Sequence, residues 1–150
     1  MSNESTATEK PLYKIPCVSL LPFRGGEVLV LRKTATGLLE FPGGKQEGYE
    51  STRDCATREL REETGLELRD SPIQLLGIWE NDITTRDDLP PYLCQFYLTR
   101  IQGGQKAIIG EPDKFDGVEW IKPCLLDGPV LQGSAFAALN MLLQQHPHLF

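Results

Sequence analysis

Glu59, Glu62 and Glu63 stand at i, i+3 and i+4 in a segment that begins at a Gly-Gly pair, Gly43-Gly44, and ends at Gly65. On a helix these three carboxylates share one face, with neighbouring Cβ atoms roughly 5–6 Å apart. Like charges at that spacing repel by a few tenths of a kcal/mol per pair. A hard divalent cation offsets the repulsion: Mg²⁺ takes carboxylate oxygens, keeps several waters and completes its shell with substrate phosphates. The competing reading is a solvated helix surface in which Arg53, Arg58 and Arg61 interleave with the acids. Arg58 has two readings as well. Its guanidinium can hold a neighbouring carboxylate by a two-pronged contact, or it can form an ordinary i, i+4 surface pair with Glu62. Glu47 and Glu50 can join a metal shell, and Glu50 can instead favour the helix N-terminus.

The spacing around the triplet is specific. Gly44 is followed after five residues by Glu50, and after seven more by Arg58-Glu59-Leu60-Arg61-Glu62-Glu63-Thr64-Gly65-Leu66. This segment resembles the signature box of the Nudix hydrolase family at every fixed position. The resemblance implies a magnesium site, with manganese as a substitute, held by Glu59, Glu62, Glu63 and the Gly44 carbonyl. It also implies that Arg58 orients the carboxylates and that Glu62 takes part in catalysis. A second acidic stretch, Gly110-Glu111-Pro112-Asp113-Lys114, precedes the apolar residues at 117–121. The family often draws a further acid from a loop at this point, which makes Glu111 the expected general base or peripheral ligand; a solvated turn at Pro112 is the alternative.

The elements that must position these groups follow from pattern. Residues 13–23 and 27–33 are β-formers around Arg24-Gly25-Gly26, a hairpin signal. Residues 38–41 suit a short strand ending at Pro42-Gly43-Gly44. The motif helix is expected from Ser51, a capping residue, to Thr64, with Gly65 past its end and Ala56 and Leu60 as its buried stripe. Further strands are expected at 73–79, 92–101 and 117–121, with Trp120 in the core. A last helix at 134–145 should turn Phe136, Leu139, Met141, Leu142 and Leu143 inward. Strands on both sides of one helix, with a second helix at the end, suggest a mixed sheet between helices. The order resembles the Nudix α/β/α sandwich.

With 150 residues, 40% of them hydrophobic and 24% charged, the chain fits one domain at 11–150 behind a polar tail at 1–10. The polar loop at 82–91 is placed to border a pocket. A net charge of −6 disfavours a duplex nucleic-acid partner but suits a small phosphorylated ligand bridged by metal. No run approaches the roughly 20 apolar residues of a membrane span. The four cysteines form no C-x-x-C pair and follow no secretory signal, so free thiols in a reducing cytoplasm are expected. His146 and His148 flank Pro147 in what reads as an exposed tail. The reaction these features imply is hydrolysis of a phosphoanhydride. A small-molecule nucleotide is the expected partner, foremost a (deoxy)nucleoside triphosphate cleaved to the monophosphate and pyrophosphate. A nucleotide sugar or dinucleotide is second, and a non-catalytic nucleotide-sensing module is the contrasting class. The sequence leaves a homodimer open.

Overall fold

The computed structural model describes residues 14–80, 92–126 and 128–150, so the tail expected at 1–10 and the loop expected at 82–91 lie outside the described residues. Among the described residues seven strands form one mixed sheet. β1 (Ile15–Arg24) and β2 (Glu27–Lys33) make the expected hairpin, while β5 (Gln74–Glu80) and β6 (Tyr92–Arg100) pair antiparallel. β6 lies parallel to β1 along its length, from Ile15↔Tyr92 to Phe23↔Arg100. β7 (Phe115–Ile121) pairs with the outer edge of β2.

The site depends on how the hairpin opens. β1 and β2 pair only next to their turn, at Phe23↔Val28 and Arg24↔Glu27, and then diverge. β3 (Leu39–Glu40) continues along β2, and β4 (Gly43–Lys45) continues along the same edge of β1 through Val18↔Gly44 and its neighbours. Pro42 bridges the two and its carbonyl accepts the Leu20 amide at 2.8 Å. β4 departs from the loop expected after Pro42. Glycine has poor strand propensity, but the exposed edge of β1 supplies backbone partners that this segment would otherwise lack.

Alternation in the strands divides the core between the two faces. Val18, Leu20 and Leu29 turn toward α1 (Thr52–Thr64) and meet Cys55, Ala56 and Leu60. Leu21, Phe23, Val28 and Val30 turn the other way, toward Ala138, Leu139 and Leu142 of α2 (Gly133–Gln145). Each fully buried aliphatic side chain contributes about 1.5–3 kcal/mol, so the two clusters clamp both helices to the sheet. This is the expected α/β sandwich. Among the described residues, no helix is long and apolar enough to cross a membrane.

Three expectations change. Phe136 is exposed, because the buried stripe of α2 runs through Ala135, Ala138, Leu139 and Leu142 and leaves the Phe136 ring over Gly128. Trp120 is half-buried on β7, a strand paired only with β2 among the described residues, and the Arg24 guanidinium stacks 4.2 Å from its ring centroid. The C-terminus is not a loose tail. His146 is half-buried, and Phe150 packs edge-on to Phe23 with ring centroids 6.0 Å apart.

Candidate active site

Helix α1 is fixed at both ends by local chemistry. The Ser51 hydroxyl accepts the Asp54 amide at 3.0 Å, and Gly65, in the left-handed region at φ 74°, returns its amide to the Arg61 carbonyl. The helix seats Leu60 on the sheet and thereby turns Glu59 and Glu63 toward β4. Glu63 is only 3% exposed, and its Oε1 accepts the Gly43 amide at 2.9 Å. Glu59 presses on Gly44 so closely that a Cβ there would sit 2.6 Å from its carboxyl carbon. Only glycine permits that approach. Glu62 turns outward, its side chain 47% exposed, so the three motif glutamates divide into a sheltered pair and an open one.

Arg58 is the hub of the other flank. Its Nε and Nη2 grip the Glu50 carboxylate at 2.6 and 2.9 Å. Nη1 reaches Glu59 Oε1 at 2.7 Å and Glu62 Oε1 at 3.3 Å, and Nη2 also donates to the Lys45 carbonyl. The two-pronged contact therefore falls on Glu50, and the i, i+4 pair to Glu62 is the longest of these ion pairs. Glu50 is spoken for: the fork and the Glu47 amide hold its carboxyl down to about 2. Glu47 itself is exposed.

Glu111 arrives through main-chain anchoring to the last turn of α1. The Ile108 and Gly110 amides donate to the Thr64 and Glu63 carbonyls, both at 2.9 Å. A Cβ on Gly110 would lie 2.0 Å from the Glu62 carbonyl oxygen, so this glycine lets the loop dock. It was not singled out by the sequence motif. Among the described residues Glu111 Oε1 is buried without a hydrogen-bond partner, and Lys114 Nζ forms an ion pair with it at 3.5 Å.

The electrostatics of this corner are those of crowded anions. Burial pushes the Glu63 carboxyl up to about 8, against the pull of the Gly43 amide, and Glu59, Glu111 and Glu40 add to the rise. Glu59 is raised by burial and by Glu62 and Glu111, with Arg58 opposing. Glu40 on β3 is raised by burial too, although Lys33 and Lys114 oppose it. The motif did not point to Glu40; its signal was a lone acid between Leu39 and Phe41 at the end of a short strand. Among the described residues no three acidic, histidine or cysteine side chains form a closed metal cluster. The donor set, with carboxylates close enough to disturb one another and one orphaned buried oxygen, fits a hard cation that retains water and shares its shell with phosphate.

The same Gly43-Gly44 backbone borders a cleft on the α2 face. A cavity of about 130 Å³ touches Glu40, Phe41, Gly43 and Gly44. It shares Cys17, Cys94 and Ser134 with a hollow of about 380 Å³ bounded by Trp79, Tyr92 and Gln132. The sequence reading missed this wall. A separate hollow of about 530 Å³ between Arg24, Lys106 and Trp120 carries none of the motif carboxylates.

Comparison with known proteins places these features among relatives. Residues 14–138 match the model of the NUDIX domain. A MutT-like protein of Streptomyces ambofaciens is 26% identical over 99% of this chain and 90% of its own length. An NAD-capped RNA hydrolase, NudC, of Pseudomonas putida is 30% identical over 70% of this chain but only 35% of itself. The crystal structure of a MutT NUDIX hydrolase from Burkholderia pseudomallei superposes with a TM-score of 0.74 at 22% identity, covering 87% of this chain and 98% of that one.

Proposed function

This chain belongs to the Nudix family and is a Nudix hydrolase, and from that premise we propose that it is a magnesium-dependent pyrophosphohydrolase. Its substrate would be a nucleoside diphosphate linked to a further group, foremost a (deoxy)nucleoside triphosphate converted to the monophosphate and pyrophosphate. One observation carries the reading. The sheltered carboxylates of Glu59 and Glu63 crowd with Glu111, whose buried Oε1 has an ion-pair contact to Lys114 but no hydrogen bond among the described residues, into a negative corner at the Gly43-Gly44 end of a cleft whose far end is aromatic.

Glu59, Glu62, Glu63 and the Gly44 carbonyl would hold the cation, which supplies charge neutralisation on the phosphates and a more acidic bound water. The chain does the rest. Arg58 fixes Glu59 and Glu62 through shared contacts, so the ligand geometry is set before substrate arrives. Glu111 Oε1, which accepts no hydrogen bond among the described residues and has Lys114 at 3.5 Å, is the oxygen placed to take a proton from the attacking water. Trp79 and Tyr92 offer flat surfaces to a base at the wide end of the cleft.

The Streptomyces relative, a MutT-like protein, matches this chain over 90% of its own length. The NAD-capped RNA hydrolase relative motivates a second reading, a dinucleotide or nucleotide sugar, but it shares only about a third of its length with this chain. A panel of nucleoside triphosphates, dinucleotides and nucleotide sugars, assayed with Mg²⁺ for pyrophosphate, orthophosphate and nucleotide products, tests both. Pyrophosphate with monophosphate as first products from a triphosphate is the expected result. Orthophosphate with nucleoside diphosphate would refute the assigned bond, and turnover of dinucleotides alone would favour the second reading.

A further inference from the structure

The parallel register of β1 and β6 sets Cys17 directly opposite Cys94. Neighbouring strands run roughly 4.7–4.9 Å apart, inside the Cα separation of about 4.4–6.8 Å that a disulfide spans. The side chains point the same way, since both residues line the small cavity beside Gly43-Gly44 and the wider one beside Trp79. Neither is sealed in the core: both are half-buried, whereas Cys55 is buried and Cys124 is exposed. We propose that Cys17 and Cys94 form a peroxide-reactive dithiol that closes to a reversible disulfide across the floor of the substrate cleft.

Either thiol can be oxidised first, because each faces the other across the strand pair, and the second then stands in place to resolve it, the arrangement that favours disulfide over further oxidation. The thiolate of one cysteine attacks one oxygen of a hydroperoxide, the O–O bond breaks, and the departing oxygen leaves as water or an alcohol, which oxidises that cysteine by two electrons to the sulfenic acid. The sulfur of the other then attacks it, the S–O bond breaks, and water leaves. Two thiols and one hydroperoxide thus give one disulfide, and a small dithiol reductant reverses it by exchange. Bridging two residues paired on adjacent strands strains the link, and strained disulfides are the easily reduced ones.

The test begins with mass, because the cross-link does not depend on what the enzyme hydrolyses. The reduced full chain is treated with equimolar hydrogen peroxide, blocked, and digested without reductant. The expected product is a Cys17–Cys94 linked peptide that forms before Cys124 is oxidised and disappears with dithiothreitol. In either single variant, Cys17→Ser or Cys94→Ser, no linked peptide should form and the remaining thiol should accumulate as a sulfenic acid trapped by dimedone. Oxidation of Cys124 first, or sulfinic acid at Cys17 or Cys94 without the linked peptide, would overturn the proposal. Hydrolysis measured on the same samples reads the effect on the cleft, a reason that rests on the proposed function: at least a tenfold loss on cross-linking, restored by reduction, is expected. A linked peptide with unchanged turnover would overturn the control of the cleft, while failure of every nucleotide substrate would leave the peptide result standing.

Discussion

Glu50 and Glu63 flank the same helix and meet opposite environments. Glu50 sits in the fork of Arg58 and accepts the Glu47 amide, and its carboxyl is held down to about 2. Glu63 has one amide donor, lies against Glu59, Glu111 and Glu40, and rises to about 8 through burial and their charge. One flank is a finished structural contact. The other is a corner where acids outnumber the cations that reach it, an arm of Arg58 at Glu59 and Lys114 at 3.5 Å from Glu111. The difference teaches where to look for chemistry: a carboxylate already neutralised holds the helix in place, and one left uncompensated is available to a metal and its substrate.

The comparison breaks most clearly at Glu63. Glu63→Gln keeps the shape of the side chain and removes a ligand, so kcat should fall by about a thousandfold. Its effect on the metal-free protein should have the opposite sign. A carboxyl raised from 4.5 to about 8 on folding binds more protons in the native state between those values, so stability falls as pH rises through that window. Denaturant melts in chelator should show this decline in the wild type and a flatter profile in Glu63→Gln, which becomes the more stable protein at pH 8 by an amount on the order of 1 kcal/mol. An equal slope in both proteins would place the raised carboxyl elsewhere.

Arg58 joins the two flanks. Arg58→Lys keeps the charge and loses the planar fork, so kcat should drop by about 10- to 100-fold with little change in KM. Turnover within twofold of wild type would reduce Arg58 to a surface pair. Gly110→Ala tests how Glu111 is brought in. The added methyl meets the Glu62 carbonyl, so the loop must shift, with about 1–3 kcal/mol of destabilisation and roughly tenfold slower turnover. Unchanged melting and kinetics would show that the loop docks without that close approach. Glu50→Gln should have the smallest effect on rate, a few-fold at most. Its signature is acid stability: a carboxyl lowered from 4.5 to about 2 stabilises above the higher value and loses that contribution as pH falls toward the lower. The variant should lack this part of the acid unfolding profile, and a wild-type acid profile in Glu50→Gln would argue against the fork as an anchor.

What could be read from the chain divides along the same line. The motif helix was legible because its signals are local: Ser51 caps, Gly65 terminates, and the carboxylate spacing is fixed by the helical turn. Glu111 was expected from the family resemblance and its place before a strand, and its loop does dock on the last turn of α1. The sharing of Arg58 was not legible, since the choice between Glu50 and Glu62 depends on how the Gly44–Glu50 segment folds back over the helix. The cleft was hidden for a larger reason. Cys17, Trp79, Cys94 and Ser134 come from four distant stretches, and they meet because β1, β6 and β5 lie side by side with Cys17, Cys94 and Trp79 in register while the start of α2 brings Ser134 to them. No local pattern announces a strand made of Gly-Gly-Lys.

On the proposed function, the corner around Glu63 is a divalent-cation site held partly protonated until the cation arrives. Calorimetric titration of Mg²⁺ into the metal-free protein at pH 7, repeated in two buffers of different ionisation enthalpy, counts protons released on binding. The account predicts release of about one proton in the wild type, declining as pH rises past about 8, and loss of most of that release in Glu63→Gln. Magnesium binding without proton release, equally tight in Glu63→Gln, would contradict it.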